Sequence, residues 1–410
     1  MPTVVLVGTL DTKGPDYDFV RTRLRALGCE VVLVDAGVLG QPTLHVEISR
    51  EDVARAGEVE LADLVARNDR GFALEAMVRG VTAVVRRLFE DGHLHGVLGL
   101  GGSGGTSLIT PAMRALPIGV PKLMVSTVAS GEVASYVGAV DICMMYSVVD
   151  VAGINRVSEQ ILGNAAAAVA GMAHAYAAYR PSGDARPLVG ATMFGVTTPC
   201  VTAARQRLEG LGYEVLVFHA VGTGGRSMEA LATGGFLDGV LDATTTELAD
   251  ELVGGIFSAG PERLESAGSC GIPQVVSLGA LDMVNFGPVE TVPTRFKGRT
   301  LYRHNPTVTL MRTTPEECAE LGRTIARKLP AATGPVALYI PRRGLSAIAT
   351  QGNVFHDPQA DDALIASLKD EIGPRVEVRE LDTDINDAGF ARAMADHLDR
   401  FICARRGVRR

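Results

Sequence analysis

Residues 99–107 read Gly99-Leu100-Gly101-Gly102-Ser103-Gly104-Gly105-Thr106-Ser107, five glycines and three hydroxyl side chains in nine positions. Glycine lets backbone approach a ligand closely, and N–H groups at a helix start attract an anion. An apolar run at 97–100 precedes the cluster and a helical pattern follows, which predicts a strand-to-helix bend. Gly101, Gly102, Ser103, Gly104, Gly105 and Thr106 are therefore expected to cradle a phosphate or carboxylate. No Gly-Lys-Ser/Thr follows, so this is not a P-loop, and the dinucleotide spacing with its ribose carboxylate is not cleanly met. A tight turn that binds nothing is the competing reading.

Similar clusters follow other apolar runs. Gly8-Thr9-Leu10-Asp11-Thr12-Lys13-Gly14 offers the hydroxyls of Thr9 and Thr12, a point charge for a phosphate on Lys13, and a carboxylate for magnesium on Asp11. Its alternative is a helix cap beside a solvated lysine. Ser126 and Thr127 open a hydroxyl-rich stretch that either touches the ligand or caps. Asn155 precedes a long helical pattern and is expected to cap it. In the second half, Arg226 in Gly222-Thr223-Gly224-Gly225-Arg226 is placed to grip an anion. Thr244, Thr245 and Thr246 lie in Asp242-Ala243-Thr244-Thr245-Thr246-Glu247, and a further polar loop spans residues 279–287. For proton transfer the candidates are Glu247, Asp282 and His304, with His219 also at a strand end. No HExxH, GxSxG or zinc-finger spacing occurs.

The elements that must position these residues repeat along the chain. Apolar runs at 4–7, 31–34, 97–100 and 123–125, then 215–218, 240–241, 275–278 and 336–339, alternate with helical patterns. Strands without polar alternation, separated by helices, indicate parallel sheets covered on both faces. The polar, breaker-rich segment at 179–187 reads as a linker between domains at 1–180 and 187–410. Across it the halves look alike: residues 24–34 parallel 208–218, and 120–126 parallel 272–277. The expected fold is α/β, two Rossmann-like doubly wound domains with mainly parallel sheets, and a cleft between them is the default ligand site.

Composition removes several classes. The 39 Lys and Arg against 47 Asp and Glu give a net charge of −8, a poor basis for holding nucleic acid or an anionic membrane. The six cysteines are scattered without a CxxC pair, as expected of core thiols in a reducing cytoplasm. The start Met1-Pro2-Thr3-Val4-Val5 lacks signal-peptide features, and the Ala-rich stretch at 165–178 reads as a buried helix, so a cytoplasmic protein is expected. The tail at 405–410 reads as a frayed end.

Taken in order, these clusters resemble the Tm-one-like ATP-binding family. The residues carrying the likeness include Gly8-Thr9, Asp11-Thr12-Lys13, residues 99–107, 125–131 and 147–155, Met193-Phe194-Gly195-Val196-Thr197-Thr198-Pro199-Cys200, and residues 242–247, 277–287 and 310–314. The resemblance covers nearly the whole chain. It implies two Rossmann-like subdomains, a homodimer, and binding of ATP with Mg2+. It also implies that chemistry belonging to the barrel domain of the plant members would sit in a separate polypeptide. The expected function is thus nucleotide binding in a Gly-rich cleft, with Gly101 to Thr106 on the phosphates, Lys13 and Asp11 beside them, and Arg226 and Thr244 to Glu247 closing from the other side. The alternative is a lyase or hydrolase acting on a small phosphorylated or carboxylated metabolite.

Overall fold

In the amino-terminal half the apolar runs become the strands of one sheet. The computed structural model describes residues 1–40, 44–180 and 186–407. The chain divides into two compact units, Met1–Ser182 and Gly183–Arg410. The middle of the expected linker (residues 181–185) and the last three residues of the tail (408–410) lie outside the described residues.

The first unit contains β1 (Thr3–Gly8), β2 (Glu30–Asp35), β3 (Gly96–Gly101), β4 (Lys122–Ser126) and β5 (Cys143–Tyr146). They pair in parallel in the order β2-β1-β3-β4-β5. Its helices are α1 (Leu10–Ala26), α2 (Arg50–Ala56), α3 (Leu61–Arg67), α4 (Arg70–Glu90), α5 (Ser103–Arg114), α6 (Ala134–Val137) and α7 (Arg156–Ala178). Every residue of β1, β3 and β4 is buried, which explains runs without polar alternation. Val5, Val7 and Val97 pack toward Met77 and Val81 of α4 and Ile109 of α5. Val4, Leu6 and Leu98 belong to the opposite cluster, with Val20 of α1 and Val169 of α7. The two-residue period of a strand thus feeds two separate cores. Helix α7 is long and apolar enough by composition to cross a membrane. One face of it is buried, through residues such as Leu162, Ala166 and Ala173.

The second unit contains β6 (Leu188–Met193), β7 (Glu214–His219), β8 (Gly239–Thr244), β9 (Gln274–Gly279), β10 (Met283–Phe286), β11 (Leu301–Asn305), β12 (Val308–Arg312), β13 (Val336–Pro341) and β14 (Glu377–Leu381). Six of them form a parallel sheet in the order β14-β13-β9-β8-β6-β7. The helices are α8 (Thr198–Gly210), α9 (Thr223–Thr233), α10 (Thr246–Val253), α11 (Ser266–Ser269), α12 (Pro315–Lys328), α13 (Pro358–Glu371) and α14 (Ala388–Arg406). Both sheets therefore share one winding, in which the second strand flanks the first on one side and the third on the other. The fold is α/β and doubly wound, in the 2-1-3-4-5 order rather than the 3-2-1-4-5-6 order of dinucleotide enzymes. The sequence parallels fall on equivalent places: residues 24–34 and 208–218 each run from the first helix into the second strand, and 120–126 and 272–277 hold the fourth.

Two features depart from the sequence reading. Strands β10, β12 and β11 form an antiparallel sheet, so the polar loop expected at 279–287 is partly a buried strand. Of the cysteines expected in the core, Cys29, Cys200 and Cys318 are buried while Cys143 and Cys270 are exposed.

The second sheet is locked by one guanidinium. Arg263 is fully buried and meets Asp242 at 2.5 and 2.7 Å, Glu247 at 2.7 Å and Glu229 at 3.2 Å. Removing one partner of a buried ion pair leaves uncompensated charge. Arg263→Ala is expected to cost about 3–5 kcal/mol in chemical denaturation of the full chain; a loss below ~1 kcal/mol would contradict this.

Candidate functional site

The glycine cluster after β3 divides by role. A Cβ on Gly99 would fall 2.8 Å from Ile109 and Met124, and one on Gly101 would fall 3.0 Å from the Cα of Gly105. These two glycines let helix α5 pack close to the sheet. Gly102 is the N-cap of α5 and offers no side-chain cap. The N–H groups of Ser103, Gly104 and Gly105, in the first turn, therefore have no intrahelical carbonyl to meet. Thr106 is turned inward and is fully buried. Its hydroxyl donates to the Gly102 carbonyl at 2.8 Å and pairs with the Ser126 hydroxyl at 2.7 Å. Ser126 in turn accepts from the Val128 N–H at 3.2 Å. Thr106 and Ser126 thus brace the bend instead of offering ligand contacts. Thr127 is half-buried, with its N–H on the Gly101 carbonyl at 3.2 Å.

The bend after β1 is filled from within. A Cβ on Gly8 would lie 2.0 Å from the Tyr17 ring. The Tyr17 hydroxyl donates to the Val7 carbonyl at 2.5 Å and accepts from the Leu100 N–H at 2.8 Å, bridging the ends of β1 and β3. Thr9 and Thr12 face each other with hydroxyls 3.2 Å apart. Lys13 donates to the Val151 carbonyl, and the neighbouring Asp16 accepts from the Gly153 N–H at 3.0 Å. The Lys13 ammonium thus ties α1 to the loop after β5, away from the phosphate position expected for it. Asp11 accepts from the Leu39 N–H at 3.2 Å through Oδ2, while its Oδ1 is sealed from solvent with no partner. Asp35, at the end of β2, is also fully buried with Oδ2 unpartnered, and burial raises its pKa.

A cavity of about 520 Å³ opens beside these ends. Thr9, Asp11 and Thr12 line it from α1, and Gly104 and Gly105 from α5. The 36–39 loop, α3 and the start of α4 complete the wall, with Leu64, Met77 and Leu108 among its apolar side chains. Its position beside β1 and β3 is where the strand order reverses, the usual ligand crevice of an open α/β sheet. Arg70, the first residue of α4, also lines the cavity. A Cβ on Gly104 would lie 3.6 Å from its Nη2. Arg70 and Tyr17 escaped the sequence reading. The available signal for Arg70 was a cation directly after a capping aspartate, an unfavourable place beside a helix N-terminus.

The fit to magnesium is tested by the donor set. Among the described residues no three His, Cys, Asp or Glu side chains cluster in a way that could hold a metal. Asp11 is the carboxylate in the cavity wall beside the start of α1, but its Oδ1 is sealed from solvent against Gly37. It would reach Mg2+, which commonly takes one or two carboxylates with phosphate and water, only by turning its side chain. Asp11 is thus the residue that would hold it.

In the second unit the threonines expected to meet a ligand are turned inward, while Arg226 is exposed. Thr244, Thr245 and Thr246 are fully buried. Thr244 pairs with the Thr197 hydroxyl at 2.7 Å, Thr245 donates to the Ser277 carbonyl at 3.1 Å, and Thr246 accepts from Asn285 at 3.2 Å. Arg226 donates to the Ser258 carbonyl at 2.9 Å. Glu247 accepts from the N–H groups of Gly222 at 2.7 Å and Gly225 at 3.0 Å, so the nest at the start of α9 is occupied by this chain's own carboxylate. Burial raises the Glu247 pKa while Arg263 opposes the shift. Asp282 is fully buried, accepts from Ser346 at 2.8 Å, and has Oδ1 unpartnered. His304 is exposed on β11, and His219 lies 5.4 Å from the Phe194 ring. None of the three proton-transfer candidates lines the cavity of the first unit. Asn155 caps α7 as expected, accepting from Val157 and Ser158 at 2.9 and 3.0 Å.

Two parallel sheets of one winding, the first with an open helix start at its strand-order reversal, define a two-unit Rossmann-like α/β protein. The chain belongs to the uncharacterised protein family UPF0261, matching its N-terminal domain at residues 2–178 and its C-terminal domain at residues 186–402. A UPF0261 protein of Clostridium tetani is 51% identical over 396 residues, covering 96% of this chain and 98% of that protein. The ToMV resistance protein Tm-1 of Solanum lycopersicum is 40% identical over 415 residues. That alignment spans 96% of this chain and 55% of the tomato protein, in agreement with the family resemblance of the motifs. Among solved structures, MurG of Acinetobacter baumannii aligns over 100% of this chain and 96% of its own, at 13% identity and a TM-score of 0.22.

Asp282 gives the second unit a testable pH response. Burial lifts its carboxyl from 3.8 to about 6. The folded state then holds this proton to a higher pH than the unfolded chain, so its contribution is complete below about pH 4 and lost as pH rises through 6. Relative to Asp282→Asn, the wild type is expected to lose about 2–3 kcal/mol of unfolding free energy between pH 4 and pH 7. A difference that stays constant over this window would contradict the buried-acid assignment.

Proposed function

We propose that the amino-terminal unit binds a nucleotide of the ATP type, as its magnesium complex, in the cavity beside β1 and β3. The observation carrying this reading is the uncapped start of α5, with Gly104 and Gly105 lining a cavity of about 520 Å³. That volume is in the range of about 300–1,000 Å³ usual for small-molecule sites. Free first-turn amides and the helix dipole favour phosphate. The second unit supplies a precedent within the same chain, since the start of α9 holds the Glu247 carboxylate through two amides.

Charge favours the magnesium complex over the bare polyanion. Asp11 and Asp69 share the cavity with Arg70. Two carboxylates near a polyphosphate oppose it unless a divalent cation travels with it. Asp11 would take one position on that ion by turning its side chain from the Gly37 backbone, and the ion would neutralise phosphate charge. Apolar side chains such as Leu64, Met77 and Leu108 offer a surface for a base. The family resemblance to ATP-binding proteins supports the same choice.

The alternative reading, a lyase or hydrolase acting on a small phosphorylated or carboxylated metabolite, keeps one supporting observation. The Asp11 carboxylate, in the cavity wall, would serve as its base. A thermal-shift screen separates the readings by ligand class, because a ligand that binds the folded state raises its stability by mass action.

Calorimetry on the full chain with MgATP is expected to show saturable binding. Gly104→Val is expected to weaken it by roughly tenfold or more, because branched carbon would stand between the amides and the phosphate. The nearest atom to the new Cβ, at 3.6 Å, is the tip of Arg70, so the fold accommodates the change. Unchanged affinity in the variant would remove this bend from the site, and no binding by the wild type would sink the reading.

A further inference from the structure

Helix α4 begins at the cavity with the wrong charge for a helix. Arg70 is its first residue, and its first turn carries no acidic residue. A cation there faces the positive end of the helix dipole, which is destabilising within the first turn. Helices α2 and α7 also begin with arginine, Arg50 and Arg156, but each carries acid in its first turn, Glu51 and Asp52 in α2 and Glu159 in α7. Arg70 also gains nothing from its neighbours. It is exposed, and no hydrogen bond or ion pair reaches its guanidinium among the described residues. Asp69, beside it, is spent on capping, accepting from the Phe72 N–H at 3.1 Å. Local stability argues against arginine at this position, and an external anion argues for it.

The surroundings indicate what that anion is. Gly104 lies opposite, with a Cβ position 3.6 Å from the Arg70 Nη2. The start of α5 and the start of α4 therefore meet at one place in the cavity wall, and Arg70 stands between them. Arg70, Gly104 and Gly105 line one cavity of about 520 Å³, so the unpaired guanidinium and the uncapped helix start share a space that a ligand can enter.

We infer that Arg70 and the starts of α4 and α5 form a subsite for a terminal phosphoryl group, with Arg70 as the residue that makes the site favour phosphate-ended ligands. This rests on the nucleotide-binding reading and extends it to a residue and a part of the ligand. The guanidinium offers paired donors in a plane that matches two phosphoryl oxygens. The amides of α5 meet the same group from the other side. Ligands ending in a hydroxyl or an unphosphorylated sugar leave Arg70 without an acceptor.

The test titrates wild type, Arg70→Ala and Arg70→Lys with ATP, inorganic tripolyphosphate and adenosine, each with Mg2+, by calorimetry on the full chain. Arg70→Ala is expected to weaken ATP and tripolyphosphate by about ten- to a hundredfold and leave adenosine unchanged. Arg70→Lys should fall between, since a point charge keeps attraction without the paired geometry. Thermal melting of Arg70→Ala should match or exceed the wild type, because the side chain has no partner to lose and opposes its own helix. Affinity for both phosphate ligands within twofold of wild type would overturn the subsite. If the wild type binds tripolyphosphate through Arg70 but shows no preference for ATP, the nucleotide reading falls and the subsite stands. If it binds ATP with Arg70→Ala unaffected, the reverse holds. Binding of none of the three overturns both.

Discussion

A main-chain N–H at a sharp bend must find an acceptor, and glycine-dense bends create several such groups at once. This chain resolves its strand-end bends in different ways. At Gly8 the Tyr17 side chain fills the space and bridges β1 to β3. At Gly222 and Gly225 the Glu247 carboxylate takes both amides. At Gly104 and Gly105 no side chain caps the helix start, and both residues line a cavity. Where a ligand can sit follows from which bend the protein has left open.

The two units use one winding for different ends. In the second, carboxylates gather around Arg263, and Glu247 is held by that guanidinium on one side and by amides on the other. The apolar cluster of Phe194, Val196, Ala280, Met283, Leu310 and Phe355, joined to the antiparallel β10-β12-β11 sheet, adds further packing. The unit's strand-end bends are closed by its own side chains, although Asp282, Asn285 and Thr309 each keep an unpartnered buried oxygen. In the first unit Arg70 has no partner among the described residues, Asp11 and Asp35 each keep an unpartnered buried oxygen, and α5 has no side-chain cap. The uncapped start of α5 lies at the strand-order reversal, the usual ligand crevice of an open α/β sheet.

Much of the fold was legible in the sequence because buried parallel strands leave uninterrupted apolar runs, and helices end at glycine. The paired segments at 24–34 and 208–218 fall on equivalent elements because the same helix-stop-strand grammar recurs. The antiparallel strands were not legible, since Met283-Val284-Asn285-Phe286 is four residues behind a glycine-containing loop. The cluster at 101–106 was located correctly as a strand-to-helix bend, but the roles within it were not separable. Thr106 and Ser126 read as ligand hydroxyls and prove to bond each other. Thr244 to Thr246 look the same in sequence whether they face a ligand or a neighbouring strand, and only tertiary pairing decides. Arg70 was invisible because its meaning depends on a partner that is 34 residues away in sequence, Gly104, and on the helix it begins.

The central claim is that one bend is open and its counterpart is plugged. Backbone amide resonances of the 15N-labelled full chain, followed during titration with MgATP, test it most directly. The account predicts that Ser103, Gly104 and Gly105 shift strongly as ligand is added, while Gly222 and Gly225, already bonded to Glu247, hold their positions. Shifts confined to the second unit, or none at Gly104 and Gly105 with ligand demonstrably bound, would contradict it.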